Sequence, residues 1–162
     1  EYYCFLQVHK PDYINSLKDN SYDVITLWHV YEHIHNLDEL DLQVNRILKS
    51  DGILVIAVPL SNSYDAQKYK QHWAGYDVPR HLYHFTPKQL NERLAKKGYS
   101  QLDQIPLLLD AYYVSLLSEK YKKSFLHPLK GLLFGLISNF KATTSKQYNY
   151  SSEIFIYKKS NL

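Results

Sequence analysis

The stretch His29-Val30-Tyr31-Glu32-His33 places two imidazoles one helical turn apart, with a carboxylate between them. On a helix, that spacing is the signature of an inverted zinc peptidase: His29 and His33 would bind the metal and Glu32 would activate water. Glu92 is the candidate for the third ligand. A second cluster runs from Trp73 to Phe85 and is dense in aromatic and ionisable groups. In it Arg80 could hold an anionic group in a planar fork, and His81 or His84 could take a proton. Trp73, Tyr76 and Tyr83 could shape an apolar wall. Plainer roles compete with these. Arg80 could pair with Asp77 to hold a loop, His33 could bond a loop backbone, and the aromatics could be core.

The surrounding elements favour one placement. Tyr22 to Ile34 reads as an apolar strand, Val24 to Trp28, ending in polar residues. Asn36 caps a helix from Leu37 to Leu48, with Glu39 as its reciprocal partner and Leu37, Leu40, Val44, Ile47 and Leu48 on one face. A turn at Ser50-Asp51-Gly52 leads to a strand from Ile53 to Val58, whose continuous apolar run suits burial on both faces. Thr86-Pro87-Lys88-Gln89 forms a capping box that opens a helix ending at Gly98. A strand within Tyr99 to Leu109, a helix from Ala111 to Lys123 and a last strand from Glu153 to Tyr157 complete the reading. In an open α/β sheet, ligands sit beyond the carboxyl ends of the strands. That rule selects Trp28, His29 and Tyr31 after one strand, and Pro59, Ser61 and Asn62 after the next.

Three segments carry a family resemblance: "SYDVITLWHVYEHIHNLDEL", "LKSDGILVIAVPLSNS" and "HWAGYDVPRHLYHFTPKQLNERLAKKGY". Together they resemble class I S-adenosylmethionine-dependent methyltransferases from about Ser21 onward, the first two matching that family's fourth and fifth strands. The resemblance implies an α/β fold with a Rossmann-like methyltransferase sheet, mostly parallel with an antiparallel last strand. It implies S-adenosylmethionine as cofactor, with Trp28 and His29 along its methionine part and Asp12 at the adenine. Trp73, Tyr76, Arg80 and His84 then become substrate-binding residues, with His81 first and His29 second as catalytic base. No metal is expected in that reading.

The family's first strand, its Gly-rich loop and the acidic end of strand two have no counterpart in the sequence. The five glycines, Gly52, Gly75, Gly98, Gly131 and Gly135, are each isolated. There is also no Met among the 162 residues. Residues 1–162 are therefore expected to be the C-terminal portion of a single methyltransferase domain, with a helical insertion at about 111–147. Such a portion is expected to be inactive alone, because it lacks the turn that lets backbone approach the cofactor.

Composition narrows the partners. One cysteine, Cys4, argues against a disulfide framework, and no apolar run approaches the roughly 18 residues that span a bilayer, so a cytoplasmic setting is expected. A net charge of +3 without a reader motif argues against nucleic acid. Residues 111 to 162 carry eight Lys against Glu119 and Glu153, flanking the apolar stretch Phe125 to Phe140. Such a basic amphipathic tail suits peripheral membrane contact, and an unpaired strand edge at Val24 suits a homodimer. The sequence thus supports methyl transfer to an unidentified small-molecule substrate, with O-methylation the leading form. A non-catalytic docking module and a zinc hydrolase built on His29, Glu32 and His33 are the alternatives.

Overall fold

The computed structural model describes residues 7–160. Four strands, β1 (Tyr22–Trp28), β2 (Leu48–Pro59), β3 (Tyr99–Pro106) and β4 (Ser152–Lys159), form one sheet in the order β1-β2-β4-β3. β1 and β2 are parallel, in a register that runs from Val24 opposite Ile53 to Trp28 opposite Ala57. β4 lies between β2 and β3 and is antiparallel to both. This is the mixed sheet that the family resemblance implies, with the last strand reversed.

The expected turn at Ser50-Asp51-Gly52 lies inside β2, because that strand already begins at Leu48. Between the pairs Tyr22–Leu48 and Val24–Ile53 the ladder jumps, so the extra residues of β2 bulge from it. Gly52 permits the tight excursion: a Cβ there would meet the Leu48 side chain at 2.7 Å. The strand is also less enclosed than its apolar run implies. Leu54, Ile56 and Val58 are buried, whereas Ile53 and Val55 on the other face are only half-buried.

Helices α1 (Leu37–Ile47) and α3 (Pro87–Lys96) start where their caps specify. Asn36 accepts the Glu39 N–H at 3.2 Å, and Thr86 and Gln89 form the full capping box. Gly98 follows α3 with φ of 85°, a left-handed conformation that suits glycine. These two helices bury Leu37, Val44, Leu90 and Leu94 against Leu54, Ile56, Phe155 and Tyr157 of the sheet. At about 25 cal/mol per Å2 of apolar surface removed from water, this cluster supplies the main driving force for the fold.

A smaller core gathers α2 (Tyr64–Tyr69), α4 (Leu108–Tyr121) and α5 (His127–Thr144), with Ala66, Tyr69, Trp73 and Val114 at its centre. α4 begins at Leu108, three residues before the expected Ala111. Buried Asp65 ties this core to the sheet, accepting hydrogen bonds from Trp73 Nε1 at 2.8 Å, Ser138 Oγ at 2.9 Å and Ser151 Oγ at 2.7 Å. Among the described residues no helix is long and apolar enough to cross a membrane.

Candidate active site

The site begins where β1 stops. His29 continues the ladder, its N–H donating to the Ala57 carbonyl at 3.0 Å, but its φ is 50°. A left-handed residue with a Cβ is strained by roughly 1–2 kcal/mol, and it turns the chain sharply off the sheet. The next residues, Tyr31–His33, form a single 3-10 turn. Tyr31 anchors that turn in the core. Its hydroxyl donates to Asp41 Oδ1 at 2.7 Å and accepts from Arg93 Nε at 2.9 Å, and Arg93 also reaches Asp41 Oδ2 at 2.6 Å. Burial and the Asp41 carboxylate together push the Tyr31 phenol far above its ordinary value.

With Tyr31 held, Glu32 turns inward and is 0% exposed. Its backbone carbonyl accepts from Leu82 N at 2.8 Å and Tyr83 N at 3.3 Å, which straps the loop after the Trp73 segment across the turn. Two imidazoles tighten the strap. His33 Nδ1 bonds the Arg80 carbonyl at 3.0 Å, and His81 Nδ1 bonds the Gly75 carbonyl at 2.8 Å.

This geometry excludes the zinc-peptidase arrangement. His29 lies outside the three-residue turn, so His29 and His33 share no helix face, and Glu92 is on α3 beside Lys88 at 3.9 Å. The short motif has the right spacing on the wrong backbone.

A cavity of about 290 Å3 opens at the carboxyl ends of β1 and β2, lined in part by His29, Asp77, Arg80, His81, Asp110 and Tyr113. This is the small end of the range for small-molecule sites. His29 stands between two acids, with Nδ1 3.3 Å from Glu32 Oε1 and Nε2 3.2 Å from Asp110 Oδ2. Asp110 is the larger cause and Glu32 the next in raising the His29 ring to about 9, against burial. Burial pushes Asp110 up, but His29 and Ser152 outweigh it and leave the acid below its ordinary value. His81 moves the opposite way: burial holds its ring below the usual histidine value despite the Gly75 carbonyl.

Not every residue expected from the sequence reaches this cavity. His29, Arg80 and His81 do, and Arg80 also pairs with Asp77 at 2.5 Å while remaining 72% exposed. Trp73 does not: it is 2% exposed and bonded to Asp65, so it supports the loop from the core. Tyr76 packs edge-on between Trp73 and His84, and His84 Nε2 bonds the Tyr76 carbonyl at 3.0 Å, which gives both a structural place in the loop. Trp28 is 52% exposed at the end of β1. Asp12 lies in a 3-10 helix beside a separate, shallow cleft with Ile34 and Asn36. Asp110 was missed in the sequence, although an acid directly after β3 and in the first turn of α4 meets the same strand-end rule that selects His29.

The family profile described as a methyltransferase domain matches residues 6–104. The chain belongs to the methyltransferase-domain family. Solved structures agree in fold with this methyltransferase domain. One is an S-adenosylmethionine-dependent methyltransferase, described as a possible histamine N-methyltransferase, from Thermotoga maritima. It matches at TM-score 0.57 and 14% identity, covering 89% of this chain and 59% of the other. A second, from Archaeoglobus fulgidus, matches at TM-score 0.52 and 20% identity, covering 91% and 64%. A third, Haemonchus contortus phosphoethanolamine N-methyltransferase 2 in complex with S-adenosylmethionine, matches at TM-score 0.51 and 17% identity, covering 90% and 35%. The chain therefore spans less than two thirds of the length of these structures. No curated protein sequence matches it.

S-adenosylmethionine is the methyl donor of this family. At the strand ends the cavity is lined by His29, whose ring Asp110 and Glu32 favour in its charged form, by the carboxylates of Asp77 and Asp110, and by His81, which burial disfavours in its charged form. His29 lines this cavity, and Trp28 lies exposed beside it at the end of β1.

Proposed function

We propose that this chain takes part in S-adenosylmethionine-dependent transfer of a methyl group to the hydroxyl of a small molecule. The observation that carries the reading is the strand-end cavity in which His29, His81 and Asp110 converge. When bound, the cofactor supplies an electrophilic methyl group on a sulfonium, so the protein contributes mainly proximity and orientation.

The two histidines divide the work. His29, with a value near 9, is charged at neutral pH and serves to hold the carboxylates of Glu32 and Asp110 in place rather than to accept a proton. His81 is neutral there, its Nδ1 committed to the Gly75 carbonyl, which leaves the Nε2 lone pair for the proton of an acceptor hydroxyl. A hydroxyl must lose that proton as it is methylated, which is why a neutral base in the cavity favours O-methylation. Arg80, largely exposed and lining the same cavity, takes an anionic group of the substrate in this reading.

The isolated glycines give no turn for close backbone approach, so the 162-residue chain alone is expected to hold the cofactor weakly. The test uses the full-length protein with methyl-labelled S-adenosylmethionine and a panel of small alcohols, phenols, amines and carboxylates. Label on hydroxyl oxygens supports the reading. Label confined to amines removes the O-methyl assignment, and failure to bind the cofactor in calorimetry removes the whole.

Two partner readings accompany it. Leu129, Leu132, Leu136 and Phe140 of α5 are at least half exposed beside basic residues, which supports peripheral membrane contact. β1 pairs only with β2 among the described residues, and Val24 is 51% exposed, which supports self-association along that edge. Vesicle co-sedimentation and sedimentation equilibrium test them separately.

A further inference from the structure

Glu32 is unusual even for a site residue. It is 0% exposed, and neither carboxylate oxygen has a hydrogen-bond partner among the described residues. A buried carboxylate this poorly satisfied is costly, and the one charged group already beside it is only a partial match. The His29 ring lies 3.3 Å from Oε1, but it is shared with Asp110 and leaves Oε2 unmet.

On its remaining sides Glu32 meets two further imidazoles. One carboxylate oxygen of Glu32 and one ring nitrogen each of His33 and His81 lie within 4.8 Å of one another. The two rings stand edge to face, with centroids 4.6 Å apart. Each has its Nδ1 on a backbone carbonyl, Arg80 for His33 and Gly75 for His81. A carbonyl only accepts, so Nδ1 carries the proton in both and both Nε2 atoms present lone pairs. Metal-binding histidines are held in this way, the outer nitrogen donating to a carbonyl and the inner one facing the ion. Asp77 Oδ2, 3.9 Å from His81 Nε2, is a fourth donor atom nearby.

We propose that Glu32, His33 and His81 form a binding site for one divalent transition-metal cation. Two imidazoles and a carboxylate suit zinc, cobalt, manganese or iron better than magnesium or calcium, which prefer oxygen. With metal–ligand distances of about 2.0–2.2 Å, tetrahedral ligands lie roughly 3.4 Å apart, so groups already within 4.8 Å of one another need only side-chain adjustments to close around an ion. The cation would neutralise Glu32, with His81 the one of its three ligands that also lines the strand-end cavity. Binding itself does not depend on the methyl-transfer reading. One consequence does rest on it: a cation held by the His81 lone pair would remove that atom as the proton acceptor, so the base role given to His81 above would belong to the metal-free protein.

The test is cobalt titration of chelator-stripped protein, followed by visible absorption. One equivalent is expected to bind saturably and give ligand-field bands. Glu32→Gln keeps the size of the side chain, and His33→Asn and His81→Asn keep the bond to the carbonyl while removing Nε2. Each is expected to weaken cobalt binding more than the ten- to hundredfold that loss of an outer-sphere partner produces. A His72→Ala/His127→Ala variant, altered only at histidines outside the cluster, is expected to bind as the parent does. No saturable binding by the parent overturns the site, as does binding that survives Glu32→Gln and His81→Asn, or that disappears in the His72/His127 variant. If a ligand variant fails to fold, the parent alone decides. Substoichiometric Mn2+ should broaden the ring NMR signals of His33 and His81 first, and broadening confined to other histidines overturns the proposal. All these measurements are made without S-adenosylmethionine, so their failure is distinct from a failure of methyl transfer.

Discussion

The His33 ring stands edge-on to His81, with centroids 4.6 Å apart, and each ring is held by a carbonyl of the loop between Trp73 and Phe85. The two residues lie in separate segments, and the backbone bonds from Leu82 and Tyr83 to the Glu32 carbonyl bring them together. His33→Phe would retain an aromatic edge but lose the bond to Arg80. The loop should then open more often, and hydrogen exchange at the Leu82 amide should accelerate several-fold while α1 and α3 amides stay unchanged. Equal protection of Leu82 in both proteins would show that the strap does not depend on His33.

Arg80→Lys tests the planar fork. The pair with Asp77 is exposed and screened by solvent, so its loss should leave stability nearly unchanged. If Arg80 grips an anionic substrate group through two hydrogen bonds, lysine keeps the charge and loses the geometry. A charge-assisted contact of about 1.5–3 kcal/mol corresponds to a fall in kcat/KM of about ten- to hundredfold. Steady-state kinetics of the full-length protein check this, and an unchanged kcat/KM confines Arg80 to holding Asp77.

Much of the scaffold was legible because its signals are local. Asn36 and Thr86 announce their helices within four residues, and Val24 to Trp28 and Ile53 to Val58 have the apolar runs of paired strands. The site was legible only in part. His29 and His81 follow from the strand-end rule and the loop that faces it, but Trp73 reads as a cavity wall until its indole is seen to bond Asp65. That pairing joins α2 to the loop, and Ser138 and Ser151 complete it from far along the chain. Asp110 carries no such local signal, because β3 has no apolar run as clear as those of β1 and β2. The Glu32–His33–His81 cluster depends on a left-handed residue at His29, which no local pattern specifies.

Asp65 should be among the most sensitive positions in the smaller core. Its two oxygens accept from Trp73, Ser138 and Ser151, all buried. Asp65→Ala would leave three donors without an acceptor, and at about 1–3 kcal/mol for each the loss should exceed about 3 kcal/mol. Chemical denaturation followed by Trp fluorescence would measure it. A loss below about 1 kcal/mol would mean that water replaces the carboxylate readily.

α5 supplies a different test, of packing rather than polarity. Gly131 and Gly135 face α4 so closely that a Cβ on Gly131 would lie 2.6 Å from the Leu116 Cα, and one on Gly135 2.7 Å from the Tyr112 Cα. Both contacts are with backbone, which cannot rotate away. Gly→Ala in a helix ordinarily gains roughly 1 kcal/mol from propensity, so an exposed glycine would be stabilised by the change. Here overpacking of about 1–3 kcal/mol opposes that gain, and the two helices must separate to admit each methyl group. The single variants Gly131→Ala and Gly135→Ala should each melt lower than the parent, and the double variant lower still. Because Tyr113, Val114, Leu117 and Tyr121 of α4 also line the strand-end cavity, separation should reach the site as well. Calorimetric melting gives the first readout, and cobalt or substrate affinity gives the second. A rise in melting temperature for either single variant would show that the helices part freely, and that their close approach is not what holds α4 against the cavity.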